Sequence, residues 1–305
     1  MKDVQILTND QVLQLLSVEE CIPVIENLFC CLENCQMPPK MYLDIPNGDF
    51  RAMPAIVNNT AGIKWCGVHL DETGLKRRCN IFAKVIINDV NTGEMLLMMD
   101  AEKLTAIRTA AVTGVATKCI SRPDASVAAF VGCGNQTLYQ IQAVLAVRDI
   151  KEVRLFDLSV NTAEKLMHSL DVDCPVNIYD SLELCLKEAD IVTTLTPSRH
   201  GFVEYASLKN PVHINAVGAD AEGKRELCPS VLENVDFVVY DDWEQCSHSG
   251  EIQYVPIEQR KQRWSSLGDV MSGLVHVEGD QTLFDATGLA IEDVATARYL
   301  YEKIK

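Results

Sequence analysis

The chain has 305 residues, 48% of them apolar and 23% charged, which is room for two domains with cores of their own and excludes a stapled mini-protein. Its 27 Lys and Arg stand against 43 Asp and Glu, a formal charge of -16, so its field repels phosphate backbones and anionic lipid headgroups. Nucleic acid and membrane surfaces are disfavoured as partners, and a small anionic substrate would need a site with its own positive charge.

The start, Met1-Lys2-Asp3, lacks the apolar stretch of a signal peptide, and no segment reaches the roughly 18 to 20 apolar residues of a membrane span, so a soluble cytoplasmic protein is expected. Residues 10–35 repeat apolar side chains at helical spacing (Val12, Leu15, Leu16, Val24, Ile25, Leu28), and Ser17 before Val18-Glu19-Glu20 reads as the cap of a second helix. The twelve cysteines, from Cys21 to Cys246, form no CxxC pair and sit mostly in apolar runs such as Leu28-Phe29-Cys30-Cys31-Leu32. Reduced thiols acting as small core hydrophobes are expected.

Short strands are predicted at 40–45, 51–57 and 62–69. A longer pair, 81–89 and 94–99, is joined by Asn91-Thr92-Gly93, a hairpin signal. Residues 101–121 read as one helix rich in Ala and Thr. After Pro123 the texture changes to strands at 126–131, 152–156, 190–195, 213–217 and 236–240, with helices at 136–147 and 163–170 among them. Such alternation predicts a doubly wound parallel sheet with helices on both faces. Residues 289–304 read as a final amphipathic helix.

Between the 126–131 strand and the next helix lies Gly132-Cys133-Gly134-Asn135-Gln136-Thr137. It carries the first two glycines of a GxGxxG turn, one for the tight bend and one for close approach of a pyrophosphate to a helix N-terminus. The third position is Thr137, so the motif alone is weak. The next strand ends in Phe156-Asp157, where a carboxylate receives a ribose 2′-hydroxyl and repels a 2′-phosphate, which favours NAD over NADP. A helix N-cap is the plainer alternative for Asp157.

Lys40, Arg51, Lys64 and Arg108 lie in or beside apolar segments of this acidic chain, where each is either a snorkelling cation or part of a site. Here the residues carry a likeness. Gly62-Ile63-Lys64-Trp65, Leu104-Thr105-Ala106-Ile107-Arg108-Thr109-Ala110-Ala111, Val131-Gly132-Cys133-Gly134-Asn135-Gln136, Asn215-Ala216-Val217-Gly218-Ala219-Asp220, Gly223-Lys224-Arg225-Glu226-Leu227 and the block from Thr282 to Asp293 resemble the ornithine cyclodeaminase and mu-crystallin family, collinearly from about residue 10 onward.

That resemblance implies a Rossmann NAD-binding domain at 116–284, inserted in an α+β substrate and dimerisation domain built from 1–115 and 285–305. It also implies a homodimer, with a nicotinamide cofactor between the domains. Lys40 and Arg51 match the pair that holds the substrate carboxylate in the alanine dehydrogenase branch. Lys64 matches the lysine near the reacting carbon, Arg108 the arginine facing substrate and cofactor, and Asp220 the acid across the site. Cofactor contacts are implied for Arg108, Thr109, Gly132, Gly134, Asn135, Gln136, Asp157, Leu158, Ser159, Thr196, Val217, Gly218 and Ala219. A buried lysine among cations loses affinity for its proton, which suits Lys64 to acid or base work. Cyclodeaminases have a glutamate where this chain has Arg51, and mammalian mu-crystallins lack both Asp157-Leu158 and Asp220.

The expectation is therefore an NAD(H)-dependent oxidoreductase interconverting a small L-amino acid with its 2-oxo or imino acid, nearest the archaeal-type alanine dehydrogenases. A cyclodeaminase that recycles its NAD and a non-catalytic binding protein are the alternatives. Asp220 also fits a helix N-cap before Ala221-Glu222-Gly223. His69 and His248 are expected to have packing or loop roles, and no spacing suggests a metal site.

Overall fold

The computed structural model describes residues 4–69, 80–255 and 264–305, with the side chains of 80 and 81 outside that description. In chain order the elements are β1 (Gln5–Leu7), α1 (Asn9–Leu15), α2 (Val18–Phe29), β2 (Cys35–Gln36), β3 (Met41–Ile45), β4 (Gly48–Val57), β5 (Thr60–His69), β6 (Asn80–Asp89), β7 (Met95–Asp100), α3 (Glu102–Ile120), β8 (Val127–Val131), α4 (Thr137–Val147), β9 (Glu152–Phe156), α5 (Val160–Ser169), β10 (Val176–Ile178) and α6 (Leu182–Leu186). There follow β11 (Ile191–Thr194), β12 (Arg199–Val203), β13 (Val212–Ala216), β14 (Arg225–Leu227), α7 (Pro229–Asn234), β15 (Phe237–Tyr240), α8 (Trp243–Ser249), β16 (Trp264–Ser266), α9 (Leu267–Met271), β17 (Gln281–Asp285) and α10 (Ala290–Ile304). The chain forms two compact units, Met1–Thr109 with Leu289–Lys305, and Ala110–Gly288.

The first unit is a mainly antiparallel sheet in the order β1-β7-β6-β5-β4-β2, with β3 also paired to β4. Ser17 starts α2 through a capping box: its hydroxyl accepts from Glu20 N, and the Glu20 carboxylate accepts from Ser17 N, both at 3.1 Å. The helix then buries Val18, Cys21, Ile22, Ile25, Leu28 and Phe29. It ends at Phe29, so Cys30 and Cys31 turn outward. The core expectation for that pair is thus corrected, while Cys21, Cys66, Cys133, Cys185, Cys228 and Cys246 are buried. All the cysteines described are free, and Cys79 lies outside the described residues.

Alternation along the strands gives this sheet two different faces. Met53, Ala55, Val57, Cys66, Val68, Val85, Ile87, Leu97 and Met99 point into the core, against which α10 packs. At Gly62 an added Cβ would lie 2.8 Å from Val294 Cγ2, so this helix sits close on β5. Opposite residues make rows on the other face: Met41, Ala52, Trp65 and Lys84 in one, Leu43, Phe50, Gly67 and Phe82 in the next. Phe50 stacks on Trp65, with ring centroids 5.4 Å apart, and Phe82 is 66% exposed.

The second unit is an α/β doubly wound fold. Its main sheet has eight strands, all parallel, in the order β10-β9-β8-β11-β13-β17-β15-β16, with the winding reversed between β8 and β11, and β12 pairs with β14 in a separate two-stranded sheet. Ala128, Phe130, Val153 and Leu155 face Ile141 and Val144 of α4 and Ala163 and Leu166 of α5. Val192, Ile214, Val238 and Leu283 face Leu186, Val231, Leu232 and Cys246. Helix α3 ends under a polar clasp: Arg148, after α4, donates to the carbonyls of Thr117, Lys118 and Ser121 at 2.8 to 3.0 Å. Asn215 of β13 bonds Thr117 Oγ1 at 3.0 Å. The sequence reading missed β17, a central strand, because Thr282-Leu283-Phe284 is a short apolar run bounded by acids.

Among the described residues, no helix is long and apolar enough to cross a membrane, and no cluster of His, Cys, Asp and Glu could hold a metal ion.

Candidate functional site

In the first unit the sheet delivers Lys64, from the inner face of β5, at 3% exposure. Its ammonium lies 2.7 Å from Asp293 Oδ2. Arg108 of α3, equally buried, donates from Nε to Asp293 Oδ1 at 2.9 Å and from Nη1 to Glu292 Oε2 at 2.6 Å. Two cations and two carboxylates are thus sealed together, with Asp293 bridging the cations. Burial pushes the Lys64 ammonium below its ordinary range, and neighbouring Arg108 pushes the same way against the pull of Asp293. Burial alone would lower Arg108 too, but Asp293 and Glu292 more than reverse it and keep the guanidinium charged.

Arg51 sits on the same face of the sheet: it opposes Cys66, while Lys64 opposes Met53 one inward position along. Its Nε donates to Asp49 at 2.6 Å, and its guanidinium lies 5.3 Å from the Tyr42 ring centre. Lys40, half-buried, immediately precedes β3, and Thr109 is buried one residue beyond Arg108.

Glu292 and Asp293 are absent from the residues singled out in the sequence for chemistry. A signal was present: in a helix, position 293 shares a stripe with buried Ala290 and Ala297, so an acid there stands on the apolar face.

The second unit carries the glycine turn between β8 and α4. Gly132 has φ +94°, a conformation that favours glycine, and a Cβ there would sit 3.1 Å from Leu195 O. Thr137 replaces the usual third glycine without loss of the turn, because its buried hydroxyl donates to Gly132 O at 2.7 Å. At Gly134 a Cβ would meet nothing within 4 Å, and Gln136, at the N-cap position of α4, makes no side-chain cap. The turn therefore opens onto a helix N-terminus with uncapped amides, beside Asn135 and Gln136.

Asp157 closes β9. Its Oδ2 accepts from Cys133 N and its Oδ1 from Ser159 N, each at 2.8 Å, so the carboxylate is pinned to the glycine turn with lone pairs remaining on both oxygens. The cap of α5 is Ser159, which removes the N-cap reading of Asp157. Leu158 is 97% exposed. Thr196 follows β11, and Val217, Gly218 and Ala219 follow the adjacent β13. Asp220 begins a turn and not a helix; its carboxylate is paired with Lys224.

The whole chain, residues 2–305, matches the Ornithine cyclodeaminase/mu-crystallin family. The protein belongs to that family. Among its relatives, the alanine dehydrogenase of Archaeoglobus fulgidus is 38% identical over 97% of this chain and 94% of its own length. Two solved structures are closely similar: an archaeal alanine dehydrogenase dimer with bound NAD, 37% identical, has a TM-score of 0.91 over 98% of this chain and 95% of that one. The Thermococcus litoralis Δ1-pyrroline-2-carboxylate reductase in complex with NADH and L-proline also gives 0.91, at 26% identity, covering 98% and 97%.

Proposed function

We propose that this member of the family is an NAD(H)-dependent oxidoreductase that interconverts a small L-amino acid with its 2-oxo or imino acid, alanine and pyruvate being the first pair to test. The observation that carries the reading is the buried Lys64, held between Asp293 and Arg108 with its proton affinity lowered. Such an amine gives up its proton more readily than an exposed lysine does, which suits it to acid or base work.

Arg51 and Lys40 hold the substrate carboxylate by charge-assisted bonds, with Asp49 fixing the Arg51 fork. Arg108, locked by two carboxylates, presents a fixed positive field towards charge that develops at the reacting carbon. Lys64 exchanges the proton at its Nζ with substrate nitrogen or oxygen. Asp220 is the candidate for a second proton.

The second unit fits NAD: the open space at Gly134 and the uncapped start of α4 suit a pyrophosphate, and Asp157 suits the adenosine ribose. The remaining contacts within this unit fall to Asn135, Gln136, Leu158, Ser159, Thr196 and residues 217–219. A nicotinamide held there would supply the hydride donor or acceptor for the substrate α-carbon.

The first unit is the substrate and dimerisation domain. Its exposed rows of Met41, Trp65, Leu43 and Phe82 are the surface a second copy would cover, and sedimentation should give about twice the 33.8 kDa of one chain. Free cysteines throughout the described chain fit a reducing cytoplasm.

The test is an NADH absorbance screen in both directions, with L-alanine, pyruvate plus ammonium, and Δ1-pyrroline-2-carboxylate. A net change with one of these pairs is expected. Consumption of ornithine without net NADH change would instead make the protein a cyclodeaminase, and NADH binding with no turnover of any substrate would make it a binding protein.

A further inference from the structure

The strand order places Asp157, at the end of β9, on one side of β8 and the ends of β11 and β13 on the other. A dinucleotide that crosses at the glycine turn with its adenosine ribose on Asp157 therefore lays its nicotinamide half over the loops after β11 and β13. One side chain ties those two loops together. Glu226 of β14, wholly buried, accepts from Thr196 N at Oε1, 2.5 Å, and from Gly218 N at Oε2, 2.9 Å. Each oxygen serves one loop, so the width of a carboxylate sets their separation. Gly218 leaves room for the contact, since a Cβ there would collide with Glu226 Oε2 and Thr196 O.

Glu226 is itself held by a series of buried acids. Glu251 accepts from Glu226 N at 2.7 Å and Leu227 N at 3.2 Å, and Asp285 of β17 accepts from Glu251 N and Ile252 N, both at 3.0 Å. All three carboxylates have zero exposure. A staircase of backbone clamps runs from a central strand to the two loops, and none of its steps belongs to the chemistry assigned above.

We propose that Glu226 is a positioning residue for the nicotinamide half of the cofactor, acting through the Thr196 and Gly218 amides. The inference rests on the NAD reading. An amide in its place has one acceptor oxygen and an NH2 group, so Glu226→Gln turns a donor towards one loop N–H and leaves it unsatisfied. The loops then move apart while Asp157 and the glycine turn stay as they are.

The experiment compares NADH with ADP-ribose, which lacks the nicotinamide, and follows amide hydrogen exchange in the ligand-free protein. In Glu226→Gln, NADH should bind about tenfold more weakly or worse, ADP-ribose should change less than about twofold, and exchange at Thr196 or Gly218 should rise about tenfold, with Cys133 and Ser159 unchanged. Glu226→Asp keeps both acceptors on a shorter stem and should fall between. Equal weakening of the two ligands, unchanged exchange, or faster exchange with unchanged NADH affinity would each overturn the proposal. So would failure of both variants to fold, which would make Glu226 a residue of the fold alone. If the unmutated protein binds neither ligand, the NAD reading fails instead, and the exchange data still report whether Glu226 holds the loops.

Discussion

Asp293 has two duties that oppose one another. It neutralises Lys64 and shares Arg108 with Glu292, so that without it two buried cations would face a single carboxylate, and it raises the Lys64 proton affinity that burial and Arg108 lower. Asp293→Asn should therefore cost stability, about 3–5 kcal/mol by denaturant unfolding. In whatever folded enzyme survives, Lys64 should titrate lower, shifting its limb of the pH–rate profile to lower pH. A profile that does not move would take Lys64 out of proton transfer. At the strand end, Asp157 accepts two backbone amides, and under the proposed function its carboxylate repels a 2′-phosphate. Asp157→Ser should weaken NADH by about tenfold and narrow its advantage over NADPH. Tighter NADPH than NADH binding by the unmutated protein would refute that account of the strand end.

Helix α3 is long and its last carbonyls have no continuing turn to receive them. Arg148 supplies the donors, bonding three carbonyls of the last turn as well as Ser121 Oγ and Arg122 O at 2.9 Å each. Arg148→Ala should destabilise the protein by about 2–4 kcal/mol, read as a lower denaturation midpoint at unchanged m-value. Loss of less than about 0.5 kcal/mol would mean that water replaces the guanidinium without cost. What the sequence tells at this scale depends on range. The Ser17 cap, the Gly93 turn and the strand-turn-helix at Gly132 are legible because three to six neighbouring residues determine them. The Arg148 clasp and the pairing of Arg108 with Asp293, 185 positions apart, have no local pattern. Glu292 and Asp293 read as ordinary first-turn acids of a helix, a placement the helix dipole favours on any surface. Strand β17 was hidden for a related reason: its five residues are buried on both faces of the sheet, so they show no alternation.

The buried acids also set how the whole molecule responds to pH. Burial pushes Asp285 up to about 7 and Glu251 up to about 9, with Asp285 and Glu226 adding repulsion at Glu251. The folded state thus keeps protons that the unfolded chain releases in the ordinary carboxylate range. Stability should fall as pH rises from about 5 towards 9, by up to about 1.4 kcal/mol per pH unit for each proton released. Melting temperature against pH measures this. Glu251→Gln, which cannot ionise but leaves one of the two backbone N–H groups bonded to Glu251 without an acceptor, should lower the whole curve and flatten the part of the fall above neutrality. A melting temperature that rises across the same window would show these acids to be ionised in the folded state.

The order of elements along the chain has a further consequence, for synthesis. The second unit is one continuous stretch, Ala110–Gly288, whereas α10, which brings Glu292 and Asp293 to Lys64 and Arg108, follows it in sequence. As the polypeptide leaves the ribosome, the second unit has all its strands before the first unit can neutralise its two inner cations. Until α10 emerges, that early-made sheet and α3 hold an apolar face with two positive charges, Lys64 and Arg108, lacking Glu292 and Asp293, a surface on which a chaperone would find both grease and charge. Docking of α10 closes it, so a helix some 190 residues beyond β7 completes the unit that the earlier strands began.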